Sequence, residues 1–199
     1  LKSSGFTFLT PSNINDILDD KMPLPKKPVI LSFDDGYEDF YTDVLPILRK
    51  NNIRAVQYIV SGFLDQPNYM SREEVREVIK SNLVEIGCHT VHHIALENAI
   101  EAVLKEEIFE CQNDLWQDFG IKPVSFAYPY GSYSETIFPT LKSAGIKNAV
   151  TTEFGFEISR DNLYNIPRVR PGARMGNELT SYLESEMAKT STKLTLTQP

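Results

Sequence analysis

Long apolar runs, cysteines and repeats are scarce or missing in this sequence of 199 residues, and each scarcity excludes a class of protein. No run approaches the roughly 18 consecutive apolar residues of a membrane-spanning helix, so the sequence predicts no membrane span. The sequence contains two cysteines, which are too few for a disulfide scaffold. It has no internal repeat, and low complexity is confined to a Thr-rich C-terminus.

Basic residues are in the minority, with 20 Lys and Arg against 27 Asp and Glu and a net charge of −7. Binding to a nucleic-acid backbone needs clustered Lys and Arg, so we expect no nucleic-acid partner. Hydrophobic residues make up 41% of the chain and charged residues 24%, which is typical of a globular protein rather than a disordered one. At this length one domain is expected, and its core can be stable without a disulfide or a metal.

The chain is predicted to consist of a lead-in, a domain and a tail. Residues 1–28 form the lead-in, with a Pro-rich linker at 22–28, residues 29–189 form the domain, and residues 190–199 form a loose tail. No signal peptide is recognisable and the first residue is Leu, so we expect targeting information to have been removed upstream. Cys88 and Cys111 are either a disulfide or two buried thiols, and one pair does not indicate the compartment.

Strand and helix patterns alternate along the domain. Short apolar runs predict strands at 29–33, 54–60, 83–88, 123–128, 147–152 and 165–170. Helical spacing and capping signals predict helices at 41–51, 71–80, 97–119, 135–143 and 177–187. This alternation is typical of βαβ units, so we expect an α/β fold with a largely parallel sheet and helices outside it.

Three of the predicted strands end in residues that can carry chemistry. Asp34 and Asp35 end the first strand, His89 and His93 follow the third, and the Tyr-Pro-Tyr-Gly segment 128–131 follows the fourth. Functional groups of parallel α/β folds gather at the carboxyl ends of the strands. All three segments should therefore open onto one face of the sheet.

The histidines are the most informative of these residues, because all three in the chain fall within 89–93. His89 and His93, together with one carboxylate, would give zinc three ligands and leave a position open for water. Adjacent carboxylates on a strand end point in opposite directions, so one can bind a metal while the other faces a substrate. The alternatives are a surface histidine cluster and a solvated Asp-Asp-Gly turn.

Taken together, the three segments resemble the motifs of the polysaccharide deacetylases, which are carbohydrate esterase family 4 or NodB-homology domains. Residues 32–36 (Ser-Phe-Asp-Asp-Gly) are similar to the first motif, and 85–93 (Glu-Ile-Gly-Cys-His-Thr-Val-His-His) to the second. Residues 126–131 (Phe-Ala-Tyr-Pro-Tyr-Gly) are similar to the third. Order and spacing fit over roughly residues 5–185, and the chain looks closest to the poly-N-acetylglucosamine deacetylase branch.

The resemblance implies a distorted (β/α) barrel of the NodB-homology type and removal of N-acetyl groups from an N-acetylglucosamine polymer. It also implies one divalent metal ion, most commonly Zn, with Co, Ni or Mn as alternatives. The metal ligands carried over from the family are Asp35, His89 and His93. An amide is a poor electrophile, and a metal that polarises its carbonyl and activates a water suits this reaction.

The resemblance assigns further roles around the metal. Asp34 becomes the catalytic base that accepts the water's proton, and the backbone N–H of Tyr130 helps to hold the oxyanion. Tyr128, Pro129 and Tyr130 of the third motif are expected to contact the substrate.

The third motif departs from the family pattern, because Ala127 stands where the family usually has Arg. That Arg holds the base through a charge-assisted hydrogen bond, so Asp34 needs another partner. We expect Arg168 to supply it from the last strand, since Pro167 fixes the chain before it, with Arg170 as the other candidate. The alternative is that both arginines lie on the surface.

Two further family motifs are missing. The acidic-aromatic fourth motif is not evident, and Trp116 is expected to pack rather than to serve the site. The late Leu-x-His motif, which donates the catalytic acid, is absent because no histidine follows His93, and His92 is expected to be a surface residue. Either an acid comes from upstream of residue 1, which would make this chain a weak enzyme, or Asp34 also returns the proton.

These observations favour a metal-dependent, monomeric deacetylase of an extracellular or cell-envelope polymer, with peptidoglycan, chitin-like oligomers and poly-N-acetylglucosamine all open as substrates. The alternatives are a catalytically impaired carbohydrate-binding domain on the same fold and a metallohydrolase of small amides or imides. Exposed aromatic residues would favour a polymer. The candidates near the motifs are Tyr37, Tyr41, Tyr69, Tyr128, Tyr130 and Tyr133.

Overall fold

The computed structural model of the chain describes residues 1–196, with side chains described through residue 189. The strands are β1 (Thr7–Leu9), β2 (Pro28–Ile30), β3 (Ser32–Phe33), β4 (Ala55–Ile59), β5 (Val84–Cys88), β6 (Ser125–Ala127), β7 (Asn148–Phe154) and β8 (Ile166–Arg168). Strands β3 to β8 form one sheet in sequence order, and every neighbouring pair is parallel. A wall of consecutive parallel strands is the architecture of a (β/α) barrel, which confirms the predicted fold.

Helices follow the strands along the chain. They are α1 (Pro11–Leu18), α2 (Leu45–Asn51), α3 (Arg72–Lys80), α4 (Glu101–Lys105), α5 (Cys111–Phe119), α6 (Phe138–Ser143) and α7 (Gly176–Leu196). A π-helical turn precedes α2 at Phe40–Val44, and another joins α4 to α5 at Glu106–Glu110. In the part of the chain that the structure describes, no helix combines the length and apolar character needed to cross a bilayer.

The sheet separates two hydrophobic clusters, because successive side chains of a strand point to opposite faces. On β4, Ala55 and Ile59 belong to the larger cluster, which the side chains of α2, α3, α5 and α6 complete. Val56 and Tyr58 belong to a smaller inner cluster, which also contains Ile14 of α1. The barrel interior is therefore filled with side chains. Residues that carry chemistry must lie at the ends of the strands.

The segment predicted as a lead-in contributes to this packing. Strand β1 pairs in parallel with β2. At the amino ends of the barrel strands, the Ser12 backbone N–H donates to a Glu85 carboxylate oxygen at 3.1 Å, and the Asn148 side chain donates to the Pro11 carbonyl at 3.1 Å. Sequence analysis missed β1 and α1. They have three and eight residues, which are too few to show a clear hydrophobic period.

Three predicted boundaries need correction. The strand predicted at 29–33 is divided between two sheets, since β2 ends at Ile30 and β3 begins at Ser32. The helix predicted at 97–119 begins at residue 101 and contains the π-helical turn. The last helix extends beyond residue 187 through 196, because the sequence places no Gly or Pro between Gly176 and Pro199. Residues 190–196 of the predicted loose tail are thus helical, and residues 197–199 lie outside the described residues.

Both cysteines are free and buried, so the disulfide alternative is wrong. Cys88 ends β5 and Cys111 begins α5, and both belong to the larger cluster. Burial raises the pKa of the Cys88 thiol, which keeps it protonated and unreactive.

Candidate active site

The chemistry-bearing segments meet at the carboxyl ends of the barrel strands. Asp34 and Asp35 directly follow β3, His89 directly follows β5, and the segment 128–131 directly follows β6. Arg168 is the last residue of β8. Parallel strands bring their carboxyl ends to one rim, so four strands contribute to one site.

Asp35, His89 and His93 form a three-ligand cluster. The Asp35 Oδ1 atom lies 3.2 Å from His89 Nε2 and 3.1 Å from His93 Nε2. One donor atom from each residue lies within 4.8 Å of the others. Two imidazole nitrogens and one carboxylate oxygen are ligands that zinc prefers, and three protein ligands leave a further position open.

The protonation of His89 shows why a cation fits between these atoms. The His89 Nδ1 atom lies 2.7 Å from the Ala127 carbonyl, which can only accept, so Nδ1 carries a proton. Nε2 then faces the Asp35 carboxylate, and this contact needs either a second proton on Nε2 or a cation between the two groups, because two bare acceptors repel each other. A metal ion would satisfy all three residues at once.

The pKa values in the cluster agree with this requirement. The pKa of Asp35 is lowered, chiefly by its hydrogen bond with His89, so the carboxylate stays ionised. The pKa of His93 is lowered by burial and by the neighbouring His89, which favours a neutral imidazole. Ionised carboxylates and neutral imidazoles are the forms that bind metals.

The site is built on strained backbone. Four of its residues have positive φ although none is glycine: Asp35 (73°), Thr90 (68°), His93 (56°) and Tyr130 (59°). Each such conformation costs on the order of 1–3 kcal/mol and persists only where the surroundings enforce it. At His93, the backbone N–H donates to Thr90 Oγ1 at 2.9 Å, which holds the turn between the two imidazoles.

Asp34 and Arg168 form a two-pronged ion pair. Arg168 Nη1 donates to Asp34 Oδ1 at 2.8 Å and Nη2 donates to Oδ2 at 2.7 Å. Nη1 also donates to Ser32 Oγ at 3.3 Å, and Nε donates to the Thr151 carbonyl at 2.8 Å. Arg168, rather than the exposed Arg170, makes this contact, so the surface alternative is wrong for Arg168.

This ion pair also joins the two edges of the sheet. Among the described residues, β3 and β8 are edge strands without backbone pairing to each other. Ala127 on β6 is fully buried, and its methyl group cannot hold Asp34. Burial acts to lower the pKa of Arg168, but the bonds and charge of Asp34 outweigh it and raise the pKa, so the guanidinium stays charged.

The third motif places its side chains differently from the prediction. Tyr128 is fully buried and its hydroxyl donates to the Tyr164 carbonyl at 2.8 Å, and Pro129 is also buried. Both side chains lie inside the protein, so the substrate contact expected of Tyr128 and Pro129 finds no support in their side chains. Tyr130 is 68% exposed, and its hydroxyl lies 3.2 Å from His93 Nδ1.

An aromatic row extends from the ligand cluster across the rim. Tyr130 and Phe63 lie against His93, with ring centroids 4.7 Å and 6.4 Å away. Phe63 contacts Tyr69 at 4.9 Å, and Tyr69 stacks on Tyr37 at 5.0 Å with an interplanar angle of 20°. Of the other predicted candidates, Tyr41 and Tyr133 pack against the larger cluster.

Sequence analysis missed one buried acidic residue beside the site. Glu107 is 3% exposed and binds the loop that carries the histidines. Helical spacing could have indicated its burial. Glu107 lies three residues after Leu104 and four before Cys111, on the apolar side of the helix. His92 was expected to be a surface residue, and its side chain is 58% exposed but paired with Glu107 at 2.7 Å.

Comparisons with known proteins find relatives over most of this chain. Residues 21–149 match the family model described as polysaccharide deacetylase. The chain is 30% identical over 184 residues to the poly-beta-1,6-N-acetyl-D-glucosamine N-deacetylase of Staphylococcus aureus, which covers 85% of this chain and 62% of that protein. It is 28% identical over 187 residues to YxkH of Bacillus subtilis, named as a polysaccharide deacetylase, which covers 93% of this chain and 66% of that protein. The chain spans slightly less than two thirds of these relatives.

Solved structures show the same architecture. The Streptococcus pyogenes deacetylase PplD in complex with acetate superposes with a TM-score of 0.86 at 26% identity, over 93% of this chain and 81% of that one. IcaB from Ammonifex degensii superposes with a TM-score of 0.80 at 24% identity, over 92% of this chain and 83% of that one. The second likeness shows the fold alone.

Removing the ligand imidazoles should remove the metal. We expect the variants His89→Ala and His93→Ala to lose bound zinc, because each deletes one of three ligand atoms. The matched control is Asn98→Ala, an exposed residue of the segment that follows the histidines, which should leave zinc content unchanged. Zinc per chain, measured by elemental analysis after dialysis, checks this, and zinc retained in a double His89→Ala, His93→Ala variant would contradict the ligand assignment.

Proposed function

This chain belongs to the polysaccharide deacetylase family, and from that premise we propose that it hydrolyses the N-acetyl groups of an N-acetylglucosamine polymer. The observation that carries the proposal is the pairing of two carboxylates with different partners. Asp35 faces two imidazoles, whereas Asp34 faces a guanidinium. Such a pairing suits a metal site with a separate carboxylate base beside it, and a purely structural Asp-Asp turn would not need it.

The proposed metal site consists of Asp35, His89 and His93. When bound, a divalent ion, which we propose to be Zn, supplies Lewis acidity that polarises the amide carbonyl and acidifies the attacking water. The chain itself orients these ligands through the His89–Ala127 hydrogen bond and the strained turn at Thr90.

Asp34 is the proposed general base. Each of its oxygens accepts one bond from Arg168, and each keeps a lone pair that can accept the proton of a water. The water oxygen then bonds to the carbonyl carbon while its proton moves to Asp34. When the C–N bond breaks, Asp34 returns this proton to the amine nitrogen, and the amine leaves together with acetic acid, which ionises to acetate in water.

The turn at Tyr130 is suited to hold the negative charge that develops on the carbonyl oxygen. Its backbone N–H is our proposed donor. The turn is fixed on both sides, because the Gly131 N–H donates to the Tyr128 carbonyl at 2.8 Å and Thr152 Oγ1 donates to the Tyr130 carbonyl at 3.1 Å. A Cβ at Gly131 would lie 2.1 Å from Thr152 Oγ1, so only glycine fits there.

Support for a polymeric substrate comes from the aromatic residues at the rim rather than from the metal ligands and the base. The aromatic row leaves Tyr37 43% exposed and Tyr130 68% exposed, and apolar ring faces can stack on sugar rings. The Staphylococcus aureus relative is named for poly-beta-1,6-N-acetyl-D-glucosamine, so we propose this polymer first, with action outside the cell or in its envelope.

A carbohydrate-binding domain without activity is the second candidate. The observation that favours it is the sequence itself, in which no histidine follows His93 to protonate the leaving amine. Acetate release from poly-N-acetylglucosamine, chitin oligomers and peptidoglycan, with and without a chelator, separates the two candidates. Binding of a polymer with no acetate from any of the three would favour the second.

Removal of the base should abolish most turnover without removing the metal. We expect Asp34→Asn to keep zinc and to lower kcat by about 10²–10⁴-fold, the usual contribution of a general base. The matched control is Asp43→Asn, an exposed residue of the first π-helical turn, which should stay within about twofold of the parent. Acetate release at equal zinc loading measures both, and parent-like turnover in Asp34→Asn would exclude Asp34 as the base.

The aromatic row should act on substrate binding rather than on chemistry. We expect Tyr37→Ala to raise KM for the polymer about 2- to 12-fold with little change in kcat, because a lost stacking contact is worth about 0.5–1.5 kcal/mol. Trp116→Ala is the control, since Trp116 is 47% exposed on the outer helix α5, where Lys122 covers its ring. Equal KM values for the parent and Tyr37→Ala would show that this row does not bind the polymer.

A further inference from the structure

The loop between the two histidine ligands is short and strained. Residues 90–92 connect His89 to His93, and both Thr90 and His93 have positive φ. One side of the loop is tied to the segment after β4, because Ser61 N–H donates to the Thr90 carbonyl and Gly62 N–H to the Val91 carbonyl, both at 3.1 Å. Strained backbone persists only where its surroundings enforce it, so the contacts on the other side of the loop matter as well.

Glu107 supplies support from the other side. One oxygen, Oε2, accepts the backbone N–H groups of Val91 and His92, each at 2.9 Å. The other oxygen, Oε1, lies 2.7 Å from His92 Nδ1. Two successive N–H groups that converge on one anion form a backbone nest, which is stable only with the loop in one conformation.

The burial of Glu107 makes this contact consequential. Its side chain is 4% exposed, and His92 is the basic residue that pairs with it among the described residues. A buried carboxylate is costly unless hydrogen bonds satisfy it, and here three bonds do so. A helix that needed only packing at this position would be more stable with an apolar residue of similar size.

The helix is locally widened where Glu107 lies. The π-helical turn Glu106–Glu110 interrupts the helix between α4 and α5. Such turns insert one residue into an α-helix and recur at functional sites. Glu106 is exposed and Glu107 is buried, so the two neighbouring acids have distinct environments and can be compared directly.

We propose that Glu107 is a positioning residue for the metal site, which holds the loop 90–92 in the one conformation that aims His89 and His93 at the same ion. This inference rests on the metal site proposed above. Glu107 contacts the loop through the backbone N–H groups of Val91 and His92 and through the His92 imidazole, not through the His89 or His93 side chains. It therefore sets the affinity for the metal rather than the chemistry at the amide.

Two variants of the same length isolate this role. Glu107→Met keeps the packing volume but offers no acceptor, and Glu107→Gln keeps one oxygen that can accept the two N–H groups. We expect the zinc dissociation constant, measured by competition with a chromophoric chelator, to rise about 10- to 100-fold in Glu107→Met, the range known for outer-shell partners. Glu107→Gln should recover part of this loss, and the control Glu106→Gln should bind zinc within about twofold of the parent.

Hydrogen exchange of the metal-free proteins gives a second readout. The amides of Val91 and His92 should exchange faster in Glu107→Met than in the parent, with Glu107→Gln between them, because the nest has lost its acceptor. If Glu107→Met fails to fold, Glu107→Gln carries the test through its weaker, uncharged acceptor.

The outcomes separate this inference from the proposed function. Zinc affinity and amide exchange equal to the parent in every folded Glu107 variant would overturn the positioning role and leave the metal site intact. A parent that binds no zinc would instead overturn the proposed site, and this inference with it.

Discussion

The bond between Asp34 and Arg168 is the interaction on which the rest of the site depends. A six-stranded parallel sheet leaves two edges, and Arg168 spans them by bonding the Thr151 carbonyl on one side and Ser32 and Asp34 on the other. The same contact closes the rim of the barrel and orients the proposed base. One guanidinium therefore links the fold to the chemistry. The side chain of Arg168 is 17% exposed and that of Asp34 is 28% exposed.

Charge balance explains how the two neighbouring aspartates can lie at one rim. Two adjacent carboxylates repel each other unless positive groups face them. Arg168 neutralises Asp34, and the imidazole pair with its proposed metal ion neutralises Asp35. The two carboxylates face different partners, Asp34 the guanidinium and Asp35 the imidazoles, and Asp35 does so from a backbone with positive φ.

The sequence predicted the parallel α/β sheet and pointed to the clustered histidines, because buried apolar runs and three neighbouring histidines are local signals. The barrel and the choice of Asp35 as the third ligand came from the resemblance to the polysaccharide deacetylases. Arg168 was expected to pair with Asp34 because Ala127 stands where the family usually has Arg. Only the structure could decide between Arg168 and Arg170, because their distance from Asp34 cannot be read from the sequence. Glu107 was missed because its partners are backbone N–H groups 15 and 16 residues away, which leave no mark in the sequence. The burial of Tyr128 was missed for a related reason, since a motif does not say which way a side chain points.

The measurement that tests this account most directly is a double-mutant cycle on kcat/KM for acetate release at equal zinc loading. It compares the parent, Asp34→Asn, Arg168→Met and the variant that carries both changes. If Arg168 acts through Asp34, Arg168→Met lowers kcat/KM by itself, but adding it to Asp34→Asn changes the rate by no more than about threefold, since coupled residues are not additive. Losses that multiply in the double variant would show that Arg168 acts independently of Asp34, and would contradict the central role of their ion pair.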